Sequence, residues 1–130
     1  MVKDSVANLI IKIKNAGNAG NVMTEVPYSK LIEAILSLLE KEGYIKSFAK
    51  KGKKIIKSID VELAYEDGKS KIEGVERISK LSKRTYAGVA GMRPVRSGYG
   101  LLVVSTPKGI LTSQEAKKAN VGGEVLFKIW

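Results

Sequence analysis

The sequence predicts an α+β fold of two small domains, and three observations lead to it. Apolar residues recur at helical spacing in two segments near the N-terminus, and they alternate with polar residues in several short segments further along. A turn at Asp67-Gly68 separates a half that mixes helices and strands from a half that is mostly strands. The predicted domains are therefore residues 1–67, an N-terminal α/β domain, and residues 68–130.

The N-terminal half is predicted to run α-β-α-β-β. Its elements are a helix at residues 4–16, a strand at 22–26, a helix at 29–42, and strands at 44–50 and 59–65. Apolar residues three, four and seven positions apart predict both helices, and Asp4 or Ser5 can cap the first. Along the last strand apolar and polar residues alternate, which predicts one buried face. The core stripe of the second helix is predicted to be Leu31, Ile35, Leu38 and Leu39.

The C-terminal half is predicted to be mostly β with one short helix. Its strands are expected at residues 72–78, 101–105, 110–111 and 124–130. Thr112 and Glu115 have the spacing of a capping box, which predicts a helix that ends at about Ala119. Residues 80–97 are basic and contain glycine and proline, which predicts an irregular segment. The apolar residues expected to share one face of the last strand are Val125, Phe127 and Ile129.

Basic residues are segregated along the chain, whose net charge is +10. Six lysines and no acid lie in residues 43–59, and seven basic residues and no acid lie in residues 77–114. A field concentrated in this way attracts a polyanion, so a nucleic acid is favoured over a basic protein that is merely soluble. An acidic membrane surface would need a basic amphipathic helix, and the basic residues fall mainly outside the two strongest helices. Four lysines around Gly52 predict a hairpin that contacts phosphate without recognising sequence: Lys50, Lys51, Lys53 and Lys54.

The residue types that the sequence lacks argue against several kinds of chemistry. The chain has no cysteine and no histidine, which removes disulfides, zinc sites of the usual kind and imidazole acid–base catalysis. Gly68-Lys69-Ser70 has the form of the end of a phosphate-binding loop, but the required glycine five residues earlier is Leu63. A small enzyme acting on anionic substrates is therefore disfavoured, and we expect no enzymatic activity and no cofactor. No apolar run approaches the roughly 20 residues of a membrane span, so we expect a cytoplasmic location.

Three local features are suited to contact a nucleic acid. The turn Ser105-Thr106-Pro107-Lys108-Gly109 presents two hydroxyls and one ammonium, although a plain β-turn is the slightly stronger alternative. Tyr86, in the basic segment Lys83-Arg84-Thr85-Tyr86, is either a base-stacking residue or a core tyrosine. Glu124 follows Gly122-Gly123, where the backbone can approach another molecule closely. Its carboxylate either accepts hydrogen bonds from RNA or orients a nearby lysine or backbone amide, and the sequence leaves both roles open.

The whole chain resembles a known family. Residues 100–117, with the sequence GLLVVSTPKGILTSQEAK, look like the signature of ribosomal protein eight of the small subunit. The length of this signature makes the resemblance specific. Shorter motifs that fall where this family has them are Lys14-Asn15-Ala16, Ser29-Lys30-Leu31, Glu42-Gly43-Tyr44-Ile45, Lys83-Arg84-Thr85-Tyr86 and Gly122-Gly123-Glu124-Val125.

The resemblance implies a two-domain α/β protein that binds a helix in the central domain of small-subunit ribosomal RNA. Such a protein helps that domain to fold early in assembly, lies beside other small-subunit proteins on the cytoplasmic ribosome, and in some bacteria represses its own operon by binding a messenger RNA that mimics the ribosomal site. The C-terminal domain would hold the main contact. The RNA-binding residues that the resemblance implies are Ser105, Thr106, Lys108, Gly122, Gly123, Glu124, Tyr86, Lys30 and Arg84.

Two segments depart from the pattern of this family. Pro107 replaces a small polar residue, which removes one side-chain contact and stiffens the turn. Leu81-Ser82 replaces the common Pro-Gly before the tyrosine segment, which leaves the path of that loop open. A remaining alternative is an unspecific polyanion binder, which would show no preference for folded ribosomal RNA over random duplex.

Overall fold

The computed structural model describes residues 5–80, 83–88 and 100–130. The fold is α+β, as predicted, and the chain divides into two compact units, Met1–Glu73 and Gly74–Trp130. Asp67 and Gly68, where the sequence suggested a boundary, form the turn of a hairpin within the first unit. The predicted capping role of Asp4, the departure at Leu81-Ser82 and most of the irregular basic segment lie outside the described residues.

The first unit has the predicted order α-β-α-β-β, followed by a small hairpin. Its elements are α1 (Ser5–Asn18), β1 (Met23–Pro27), α2 (Lys30–Lys41), β2 (Ile45–Lys51), β3 (Ser58–Leu63), β4 (Tyr65–Glu66) and β5 (Lys69–Ser70). The first three strands form an antiparallel sheet in the order β1-β3-β2. The alternation predicted for β3 is confirmed, because its buried residues are Ile59, Val61 and Leu63.

The core face of α2 contains the predicted Ile35, Leu38 and Leu39, but it includes Ile32 and Leu36 in place of Leu31. Leu31 is 37% exposed, whereas its neighbour Ile32 is 2% exposed. Ser29 caps the helix by accepting a hydrogen bond from the Ile32 backbone nitrogen, at 3.1 Å. The buried stripe therefore follows Ile32, Ile35 and Leu39 at the i, i+3, i+7 spacing, which leaves Leu31 at its border.

The second unit is built around its last strand. Its elements are β6 (Val75–Arg77), β7 (Tyr86–Ala87), β8 (Leu101–Thr106), β9 (Gly109–Thr112), α3 (Ser113–Lys118) and β10 (Gly123–Ile129). Strand β10 pairs antiparallel with β8 along one edge and with β6 and β7 along the other. Strand β9 pairs with the far edge of β8 and extends the sheet. The predicted capping box is confirmed: Thr112 Oγ1 accepts from the Glu115 nitrogen at 3.1 Å, and Glu115 Oε1 accepts from the Thr112 nitrogen at 3.0 Å.

A bulge in β10 overturns the prediction that its apolar residues share one face. Val125 pairs with Val104 but Phe127 pairs with Val103, so Leu126 is an extra residue in the ladder. Adjacent residues of β8 point to opposite faces, and directly paired residues point to the same face. Val125 and Phe127 therefore lie on opposite faces. Because Val103 and Val104 are both fully buried, the sheet is covered on both sides at this level.

No helix within the described part of the chain has the length and apolar character needed to cross a bilayer.

Candidate nucleic-acid interface

Strand pairing in the second unit brings three of the predicted site residues into one row. Glu124 of β10 lies opposite Ser105 of β8 on one side and opposite Tyr86 of β7 on the other. Directly paired residues of antiparallel strands project to the same face, so the three side chains share a face at one end of the sheet. We call Tyr86, Glu124 and Ser105 the cross-strand row.

Glu124 is the centre of a hydrogen-bonded cluster. Its Oε2 atom accepts from Arg84 Nη1 at 3.0 Å and from the hydroxyl of Ser79. The Ser79 oxygen in turn accepts from the Thr85 backbone nitrogen at 3.1 Å. Of the two roles left open for Glu124, orientation of a neighbour is therefore observed, with arginine in place of lysine.

The cluster keeps Glu124 in its charged form. Burial of this side chain, which is 17% exposed, would by itself raise the pKa of the carboxyl. The hydrogen bonds from Ser79 and Arg84, together with the charges of Arg84 and Arg77, outweigh that cost and hold the pKa of Glu124 below its usual value. Arg84 is thus held beside a carboxylate that stays ionised at neutral pH.

The two glycines before Glu124 make room for neighbouring strands of the same unit. A Cβ atom on Gly123 would lie 2.1 Å from the Ser105 carbonyl oxygen, and one on Gly122 would lie 2.6 Å from the Ala87 carbonyl oxygen. The sequence interpretation assigned this space to a close approach by RNA. The structure corrects that reason: the missing side chains let β10 pack between β7 and β8, while the backbone groups of both glycines are only partly buried.

The turn between β8 and β9 is closed by the hydroxyl of Thr106. Thr106 Oγ1 accepts from the Lys108 nitrogen at 3.1 Å and donates to the Gly109 carbonyl at 2.8 Å. The β-turn interpretation therefore describes the local geometry correctly. The turn leaves Pro107 and Lys108 exposed, and it follows directly after Ser105 of the cross-strand row.

Tyr86 is a surface residue and not part of the core. It is 70% exposed, beside the basic residues Lys83 and Arg84. Of the two roles left open by the sequence, the core role is excluded by this exposure. The remaining role, stacking on a base, requires a free aromatic face of this kind.

Two predicted basic features lie in the first unit. Lys30 is the exposed first residue of α2. In the lysine hairpin between β2 and β3, Lys50 Nζ lies 3.0 Å from Glu33. Lys51 Nζ lies 3.3 Å from Glu25 and 3.4 Å from Asp60. Half of the predicted phosphate contacts in this hairpin are therefore already paired with carboxylates.

Ser79 is a member of the Glu124 cluster that the sequence did not indicate. Its side chain is fully buried, and a buried hydroxyl must be hydrogen-bonded, here to Glu124 and Thr85. Serine is usually exposed, and nothing in the local pattern marks this one as buried. The sequence signal that could have indicated Ser79 is Glu124. A carboxylate in a basic segment requires nearby hydrogen-bond donors, but sequence spacing does not show which residue donates. No cluster of metal-ligating side chains occurs among residues 5–80, 83–88 and 100–130.

Comparison with known proteins covers nearly the whole chain. The family described as "Ribosomal protein S8" matches residues 4–130. The small ribosomal subunit protein uS8 of Ruthia magnifica subsp. Calyptogena magnifica is 42% identical over 129 residues, which are 99% of this chain and 98% of that protein. The uS8 protein of Mycoplasmopsis synoviae (strain 53) is 43% identical over 128 residues, 98% and 97% of the two chains. That of Helicobacter pylori (strain Shi470) is 40% identical over the full length of both.

Proposed function

The chain belongs to the ribosomal protein S8 family, and from that premise we propose that it is a structural component of the small ribosomal subunit that binds ribosomal RNA directly. The single observation that supports this most is the match of the family over residues 4–130, together with relatives named as small-subunit proteins over their full length. The protein performs no reaction; it holds RNA in a folded form.

The proposed contact lies at the cross-strand row and the adjoining Thr106 turn. Lys108 and Arg84 supply positive charge toward phosphate, and Tyr86 offers an aromatic face to an unstacked base. The Glu124 carboxylate and the Ser105 hydroxyl can take part in hydrogen bonds with a 2′-hydroxyl or a base edge. Gly122 and Gly123 contribute backbone groups instead of side chains. Lys30 adds a phosphate contact from the first unit.

Recognition is proposed to depend on RNA shape more than on a readable sequence. The deep major groove of A-form RNA is closed to side chains, whereas its shallow groove exposes 2′-hydroxyls and base edges. The short, mixed set of hydroxyl, aromatic and basic groups at one end of the second unit suits a distorted helix with an unpaired base. We place this RNA helix in the central domain of the small-subunit RNA, where binding would support early folding.

Two further roles follow from the same site. Contact with neighbouring small-subunit proteins is expected of a component of that particle on the cytoplasmic ribosome. A messenger RNA that reproduces the shape of the ribosomal site would bind the same residues, so repression of the protein's own operon is part of the proposal.

A paired titration tests the proposed function. The full chain is titrated with a central-domain fragment of small-subunit RNA and with a scrambled duplex of equal length, at one fixed salt concentration. Tighter binding of the ribosomal fragment by at least about 1000-fold is expected, the lower end of the range for specific nucleic-acid binders. Equal affinity for both RNAs would leave an unspecific polyanion binder.

A further inference from the structure

We propose that the tip of the β2–β3 hairpin, residues 52–57, is a docking surface for an acidic protein segment that also carries an apolar side chain. The proposed RNA contact lies in the second unit and at Lys30, and the docking surface replaces the phosphate contact that the sequence predicts at Lys53 and Lys54. The inference rests on the proposed function only for the location of the partner, which would be a neighbouring protein of the small subunit.

Uncompensated positive charge is concentrated at this tip. Lys50 and Lys51, at the base of the hairpin, are paired with Glu33, Glu25 and Asp60. Within the described part of the chain, no carboxylate lies within ion-pair distance of the tip lysines: Lys53, Lys54 and Lys57. A partner that approaches the tip therefore meets three ammonium groups, and charge complementarity requires that it be acidic.

An exposed isoleucine lies among these lysines and narrows the choice of partner. Ile55 is 72% exposed, the highest value among the large aliphatic side chains that the structure describes. Together with the three tip lysines it lines a concavity of about 450 Å³. RNA phosphates would neutralise the lysines but leave Ile55 in water, since an aliphatic side chain cannot stack on a base as an aromatic ring does. A segment with Asp or Glu beside Leu or Phe covers both features.

The tip is preformed. Gly52 has a φ angle of 145°, and a Cβ atom at this position would lie 2.0 Å from the Ile55 carbonyl oxygen. Two backbone hydrogen bonds close the loop behind the tip: Lys57 N donates to Lys51 O at 2.9 Å, and Tyr28 N donates to Lys57 O at 3.1 Å. A surface that is already ordered loses little conformational entropy when a partner binds.

Site-specific photocross-linking in assembled small subunits tests the proposal. Ile55 is replaced by the photoreactive residue p-benzoylphenylalanine, and small subunits that contain the chain are purified, irradiated and treated with ribonuclease. We expect an adduct with another protein, whose cross-linked peptide contains Asp or Glu. In a Lys53→Glu/Lys54→Glu background the adduct yield should fall at least tenfold, whereas the Lys53→Arg/Lys54→Arg background should keep it. Cross-linking to RNA alone, or equal yields in the two backgrounds, overturns the proposal.

Co-sedimentation separates this inference from the proposed function. If the chain is present in small subunits but gives no protein adduct, the docking surface is wrong and the proposed function stands. If the chain does not enter small subunits, the proposed function fails. The docking surface is then tested by titrating the isolated chain with two synthetic acidic peptides, which differ only in having Leu or Ser at one position. The Leu peptide should bind at least tenfold more tightly, and Ile55→Ser should abolish that difference. Equal affinities, or a stronger Ile55 dependence for anionic phospholipid vesicles, overturn the proposal.

Discussion

The Arg84 guanidinium lies 3.0 Å from Glu124, on the same carboxylate oxygen that accepts a hydrogen bond from the buried Ser79 hydroxyl. Glu124, which is 40 positions from Arg84 and 45 from Ser79 in sequence, thus joins the two residues in one cluster. The carboxylate, which would repel phosphate on its own, is neutralised by the group that it orients.

The first prediction concerns the pH dependence of stability. The pKa of Glu124 is depressed in the folded state, so this residue contributes stability that is fully present above its unfolded pKa and is lost as pH falls through its folded pKa. The free energy of unfolding of the wild type should therefore fall more than that of Glu124→Gln as pH decreases from about 5 toward 3. Urea melts at several pH values measure this. Parallel pH profiles for the two proteins would contradict the role assigned to the cluster.

The second prediction concerns the close packing at Gly123. Gly123→Ala should destabilise the fold by about 1–3 kcal/mol, because the added methyl group meets the Ser105 carbonyl oxygen. Gly88→Ala is the matched control, since a Cβ atom at that position has no neighbour within 4 Å and the backbone does not adopt a positive φ. Denaturant melts of both variants make the comparison. An undisturbed midpoint for Gly123→Ala would mean that β10 can move away from β8.

The third prediction separates the structural and binding roles of Thr106. Thr106→Ala removes the hydroxyl that closes the turn and should weaken binding of the ribosomal RNA fragment by about 1–3 kcal/mol, with little effect on scrambled duplex. Thr106→Ser keeps the hydroxyl and should retain most of the affinity. The titrations are run at one salt concentration, with circular dichroism to verify folding. Equal losses on both RNAs for Thr106→Ala would remove this turn from specific recognition.

The fourth prediction concerns the exposed aromatic ring. Tyr86→Ala should reduce affinity for the ribosomal fragment by about 1–3 kcal/mol, the usual contribution of a stacked base. Tyr86→Phe should preserve the contact, because the aromatic face and not the hydroxyl carries it. Since Tyr86 is 70% exposed, neither change should alter the melting curve appreciably. If Phe and Ala weaken binding equally, the hydroxyl makes the contact and stacking is excluded.

Local patterns predicted the secondary structure well because each element carries its own signal. The Thr112–Glu115 capping box and the alternation along β3 both appear as predicted. The errors arose where tertiary structure shifts a local pattern. The bulge at Leu126 sends Val125 and Phe127 to opposite faces, and no spacing rule shows that a strand will accept an extra residue. The prediction that Leu31 lies in the core stripe was wrong for a similar reason, because packing as well as the apolar pattern decides which face of α2 is buried.

The sequence and the family resemblance name candidate site residues, but they do not give the arrangement of these residues. The glycine pair before Glu124, the hydroxyl-rich turn and the family resemblance indicated Gly122, Gly123 and Thr106. The structure gives the glycines a packing role and the threonine a turn-closing role. The contact of Glu124 with Ser79 spans 45 positions in sequence and depends on strand pairing, so it could not be inferred locally. The pairing of Lys50 and Lys51 with distant carboxylates escaped prediction for the same reason.

Burial of the second unit's sheet on both sides has a consequence for the dimensions of any RNA contact. At Val103 and Val104 neither face is open, so in the proposed function RNA would contact the ends of β7, β10 and β8, where the cross-strand row lies. Adjacent strands lie about 4.8 Å apart, and three tips therefore span roughly 10 Å. A footprint of that width covers only a few nucleotides, too few to follow a helix along its length. The second unit would therefore recognise the local geometry of one irregular site in the RNA and would not contact the regular duplex on either side.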